Sequence, residues 1–181
     1  MYKKIHTYLR NTPAKQRTRA GIVFGVLVIA LIIYTHTPKP GTVSFTKEYS
    51  MVLTDYSGNR VRFDSLEYKP LVVFFWATWC PYCKGELQHL GELKTQYGDA
   101  VQIVAVNRKE SLADAKGFTD ALALPPGMVF LLDDHDALFK DLGGYAMPET
   151  IFINSHGEQV VHQHGPMSAS QADQAIQKIT H

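Results

Sequence analysis

Residues 74–86 read F-F-W-A-T-W-C-P-Y-C-K-G-E and hold Cys80 and Cys83, the only two cysteines of the 181-residue chain. An almost unbroken apolar run, P-L-V-V-F-F-W-A over residues 70–77, leads into them. Strands buried on both faces of a sheet have this composition. The segment from Cys80 to Tyr97 carries Leu87, Leu90, Leu93 and Tyr97 at helical spacing. A buried strand that ends in two thiols and then turns into a helix leaves few folds open. It calls for a sheet with helices on its faces.

The rest of the chain extends that pattern. Met51–Thr54 and Arg60–Phe63 flank Y-S-G-N and predict a hairpin. Residues 101–106 and 128–132 predict two more strands. Ser111, with Asp114 three residues on, predicts a cap for a helix running to about residue 122. Residues 135–142 predict a short helix. I-F-I-N, S-H-G and E-Q-V-V-H then predict a terminal hairpin, with His156 in its turn. Ser168 or Ser170 is expected to cap a last helix to about residue 179. Strand and helix alternate, so the fold class is α/β, a mixed and partly parallel sheet with helices on both faces.

The N-terminus is of another kind. Residues 1–19 carry six Lys and Arg and no acid, and residues 20–34 carry no charge at all. A membrane-spanning helix needs about 17–25 apolar residues. Fifteen is short, but the threonines at either end extend the run and Arg19 can snorkel. The alternative is a cleaved signal peptide, which needs a small-x-small site. None follows Tyr34. The expected layout is a basic tail over 1–19, an anchor over 20–36, a linker over 37–49 and a folded domain over 50–181. The basic flank is expected to stay inside, which places the domain on the outer face of a bacterial inner membrane. Beyond the tail, 12 Lys and Arg face 17 Asp and Glu, a formal charge of −5. That balance argues against a nucleic-acid partner.

The cysteine spacing narrows the chemistry. A bridge across two intervening residues closes almost no loop and adds little stability through chain entropy. A closed zinc site wants four ligands, and His89, nine residues from Cys80, points to the opposite side of a helix. Redox exchange remains. Cys80, at a helix N-terminus, would be the thiolate nucleophile, and Cys83, one turn deeper, would resolve the mixed disulfide. Pro81 is tolerated in a first turn. Glu86 lies three residues past Cys83 on the same face. It either takes up a proton there or is a solvated surface acid. Trp76 reads as core, whereas Trp79 borders the thiols. Met147-Pro148 precedes a strand, and a cis-proline there would leave the Met147 backbone free to pair with an extended peptide.

These motifs together resemble the thioredoxin superfamily over about residues 45–180. The similarity is greatest to its membrane-anchored CcmG/DsbE, ResA and TlpA group. W-A-T-W-C-P-Y-C-K-G-E, V-N-R-K-E (106–110) and D-L-G-G-Y-A-M-P-E-T-I-F-I-N (141–154) carry the resemblance. It implies a thioredoxin-like fold and a membrane-bound thiol-disulfide oxidoreductase with Cys80 as nucleophile, Cys83 as resolving thiol, Glu86 as active-site acid and Pro148 in cis. Trp79, Pro81, Tyr82, Met147 and Pro148 would meet the substrate. No cofactor beyond the Cys80–Cys83 pair and no resident metal is implied. The implied partners are disulfide-containing exported proteins such as apocytochrome c, and a membrane thiol reductase of the DsbD or CcdA kind as electron donor. The chain departs from general thioredoxins at Phe74, where those carry an acid, and from peroxiredoxins at Ala77, where those carry a threonine. Two other readings stay open: an oxidase that introduces disulfides, and a copper-handling protein that uses the two thiols and a histidine such as His162 or His164.

Overall fold

The computed structural model describes residues 25–29, 51–66 and 69–181. Residues 25–29 are helical, with Val26, Leu27 and Ile29 exposed. The remainder of the expected anchor, the basic tail and the linker lie outside the described residues. Among the described residues no helix is long and apolar enough to cross a membrane.

The larger unit is built on one seven-stranded sheet. Its strands are β1 (Val52–Asp55), β2 (Arg60–Arg62), β3 (Leu71–Trp76), β4 (Gln102–Arg108), β5 (Val129–Asp133), β6 (Glu149–Ile153) and β7 (Gln159–His164). They lie in the order β2-β1-β5-β4-β3-β6-β7. The centre β5-β4-β3 is parallel, and the outer pairs are antiparallel. The helices are α1 (Cys83–Tyr97), α2 (Leu112–Asp120), α3 (Ala137–Asp141) and α4 (Ala169–Thr180).

Strand β3 shows why the apolar run is unbroken. Val72, Phe74 and Trp76 enter one core with Leu87, Leu90 and Leu93 of α1, Ala115 of α2 and Ile176 and Ile179 of α4. Leu71, Val73 and Phe75 enter a second core on the opposite face with Leu138 and Phe139 of α3. Alternate side chains thus need apolar partners on both faces, and the strand cannot alternate in polarity.

The expected caps form. Ser111 Oγ accepts from the Asp114 amide at 3.1 Å, and Ser168 forms a capping box with Gln171 at the start of α4. Helix α1 starts later than its periodicity suggests. Its first residue is Cys83 and its N-cap is Tyr82, so Cys80 lies ahead of the helix and not in its first turn. Pro81 is consistent with the exclusion of Cys80, because proline disfavours the helical region for the residue before it. Residues 80–83 close instead through the Cys83 amide, which donates to the Cys80 carbonyl at 3.3 Å.

Candidate active site

At the C-terminal end of β3 the chain leaves the sheet and is pinned at once. Glu110, in the loop after β4, accepts from the Thr78 amide at 2.8 Å and the Thr78 hydroxyl at 2.5 Å. It also accepts from the buried Asn107 side chain at 2.6 Å. Glu110 and Asn107 belong to V-N-R-K-E, and their work is to hold residues 77–79 against the end of β4. Sequence reading used that motif only as a mark of resemblance and missed this role.

Cys80 and Cys83 are joined in a disulfide with an S–S distance of 2.10 Å and a Cα–Cα distance of 5.4 Å. Cys83 is fully buried and Cys80 nearly so. Around them the surface is apolar but open: Trp79 is 64% exposed and Tyr82 59% exposed, and Pro81 is exposed as well. Met147 packs against the same core as the two cysteines, and its bond to the buried Pro148 is cis. Of the residues expected at the site, Cys80, Cys83 and Met147 share one core, Glu86 lies on the buried face of the helix that Cys83 begins, Trp79, Pro81 and Tyr82 flank the thiols along the chain, and Pro148 follows Met147 through the cis bond.

Glu86 is not a solvated surface acid. It is 4% exposed on the buried face of α1. Its Oε1 accepts from the Met167 amide at 3.1 Å, while Oε2 is buried without a partner. Burial raises its pKa from the ordinary 4.5 to about 7, against a smaller lowering by the Met167 hydrogen bond. Near neutrality this group can both take and give a proton, one helical turn from Cys83.

His162 and His164 sit elsewhere. On β7 they pair with Ile151 and Glu149 of β6, and Ile151 belongs to the core on the far side of the sheet from the disulfide. The placement separates these two histidines from the thiols and removes them as candidates for a joint copper site with Cys80 and Cys83. They gather instead on Glu149, which is fully buried. Glu149 Oε2 accepts from the amides of Tyr145 and Ala146 at 2.9 and 3.0 Å. Burial, and then the neighbouring His164, lower the pKa of His162.

An apolar strand, a Cys-x-x-Cys disulfide just ahead of a helix, and a cis Met147–Pro148 bond whose methionine packs on the same core as the cysteines make up a candidate exchange site. The Redoxin family profile matches residues 25–176 of this chain. The chain belongs to the Redoxin family. It is 30% identical over 131 residues to the thiol-disulfide oxidoreductase ResA of Halalkalibacterium halodurans, covering 72% of this chain and 73% of that protein. It is 38% identical over 89 residues to the thiol:disulfide interchange protein DsbE of Vibrio cholerae, covering 49% of this chain and 46% of that one. In fold it resembles a secreted Mycobacterium tuberculosis disulfide oxidoreductase homologous to E. coli DsbE. That likeness has a TM-score of 0.66 at 21% identity, over 74% of this chain and 98% of the other. This Redoxin protein is a thiol-disulfide oxidoreductase of the ResA and DsbE type with a thioredoxin-like fold.

Proposed function

We propose that the protein works as a membrane-anchored reductase on the outer face of a bacterial inner membrane, with residues 20–36 as its anchor. It keeps disulfides of exported proteins reduced, apocytochrome c among them, and takes its electrons from a membrane thiol reductase of the DsbD or CcdA kind. The observation that carries the reductase direction is the buried acid, Glu86, one turn from Cys83. An oxidase gains its driving force by stabilising the thiolate of its reduced form. A carboxylate in an apolar setting beside the pair has the opposite effect. It disfavours a second negative charge and so favours handing the electrons on.

In the reaction, the Cys80 thiolate attacks one sulfur of the substrate disulfide. A mixed disulfide forms, and the other substrate sulfur leaves as a thiolate that takes a proton from water. Glu86 then accepts the proton of the Cys83 thiol. The Cys83 thiolate attacks Cys80, and the second substrate sulfur leaves as a thiolate that takes the proton from Glu86, which returns to its carboxylate form. The substrate gains two electrons and two protons, and Cys80–Cys83 is left as the disulfide. The membrane donor restores the dithiol. The exposed Trp79 and Tyr82 offer an apolar rim to an extended substrate, and the backbone at Met147, held by the cis bond to Pro148, offers it a short stretch of strand pairing.

Cys83→Ser leaves Cys80 unable to release its partner and tests the reading directly. In cells making this variant, covalent adducts are expected that carry apocytochrome c and dissolve in reductant. Adducts with other exported proteins and none with apocytochrome c would sink the cytochrome part of the proposal. No adducts at all would sink the reductase itself.

A further inference from the structure

Glu149, His162 and His164 have no part in the exchange just described, yet their polar atoms converge where β6 pairs with β7. We propose that these three residues bind a divalent cation of the zinc type through one carboxylate oxygen and two imidazole nitrogens. Their candidate ligand atoms all lie within 4.8 Å of one another. His164 Nδ1 stands 2.5 Å from Glu149 Oε1, and His162 Nε2 stands 2.6 Å from the same oxygen. The His162 nitrogen is nonetheless buried and out of line for a hydrogen bond. Two imidazoles converging on one oxygen, one of them without hydrogen-bond geometry, is the arrangement a shared cation would relax.

The support is built in. His162 and His164 are two apart on β7 and so share a face, and the β6–β7 register sets Glu149 directly opposite His164. The two amides that hold Glu149 Oε2 fix the carboxylate and turn Oε1 toward the histidines. Outer contacts of this kind orient a metal ligand. Tyr145 stacks on the His164 ring with centroids 4.2 Å apart. His164 is 32% exposed and gives an ion a way in, while Glu149 is fully buried.

The donor set selects the ion. Calcium and magnesium take oxygen ligands. Two imidazoles and a carboxylate suit zinc, with water in a fourth position. A cation there would tie β7 to residues 145–149, the segment that carries Met147 and Pro148.

The test uses the full chain in detergent micelles with the disulfide left oxidised, so that Cys80 and Cys83 offer no thiolate. Zn2+ uptake is measured by equilibrium dialysis. About one equivalent is expected, together with a rise in melting temperature. His162→Ala and His164→Ala should each weaken binding by at least the ~10-fold that loss of an outer partner costs. His156→Gln, altered in an exposed turn, should leave it unchanged. Circular dichroism confirms that each variant is folded before titration. No uptake by the wild type, or uptake by both histidine-to-alanine variants with wild-type affinity, would overturn the proposal.

Discussion

Replacing Glu86 with Gln tests the buried acid on both stability and rate. The wild-type carboxyl titrates near 7 in the folded chain against 4.5 when unfolded. Below about 4.5 the group is protonated in both states and costs nothing. Between 4.5 and 7 the unfolded chain releases the proton and the folded chain keeps it, so stability falls as pH rises. Above about 7 the loss is complete, and the difference in pKa corresponds to about 3 kcal/mol. Gln is neutral throughout, and its Oε1 can still accept from the Met167 amide. Glu86→Gln should therefore match the wild type at pH 4.5 and exceed its stability by up to about 3 kcal/mol at pH 8. Guanidinium unfolding of the oxidised protein at the two pH values measures this. In the same variant disulfide reduction near neutrality should fall by about 100-fold, the lower range for loss of a positioned acid or base. A stability difference that does not change with pH would refute the buried-charge reasoning. Unchanged turnover would remove Glu86 from the proton transfer.

Two further perturbations probe the frame around the site. A Cβ at Gly144 would lie 2.4 Å from the Phe139 ring, a ring that also packs edge-on against Phe75 and lies under Arg108. Gly144→Ala should cost about 1–3 kcal/mol in chemical denaturation, and an unchanged midpoint would show that the loop simply shifts. Glu110→Ala leaves the Thr78 amide and the Asn107 side chain without their acceptor. It should cost at least about 2 kcal/mol and speed hydrogen exchange at Thr78, whereas unchanged exchange there would mean that residues 77–79 are held by something else.

Much of this was legible in the sequence because the signals are local. The strand at β3 is marked by composition, since both of its faces are buried. Both capped helices are marked by serines whose partners lie three residues away. The exchange motif is four residues long and reads itself. What escaped depends on contacts between distant segments. The burial of Glu86 requires the turn before α4 to fold over α1 and place the Met167 amide against it, 81 residues away. Glu110 meets Thr78 only because parallel pairing brings the ends of β3 and β4 together. His162 and His164 could be seen to share a strand face, but their meeting with Glu149 is set by the β6–β7 register, and a slip of one residue would turn all three away. The start of α1 was misplaced for a local reason. Helical periodicity through residue 97 outweighed the effect of Pro81 on the residue before it.

The central claim is that the Cys80–Cys83 pair delivers electrons, and its redox state in growing cells tests that claim most directly. Cells are quenched in acid, free thiols are alkylated with a mass tag, and the two forms are separated by size. The account predicts that most of the protein carries two free thiols, and that deleting the membrane thiol reductase shifts it to the disulfide. A pair that is mostly oxidised while the reductase is present would contradict the account and make the protein a disulfide donor.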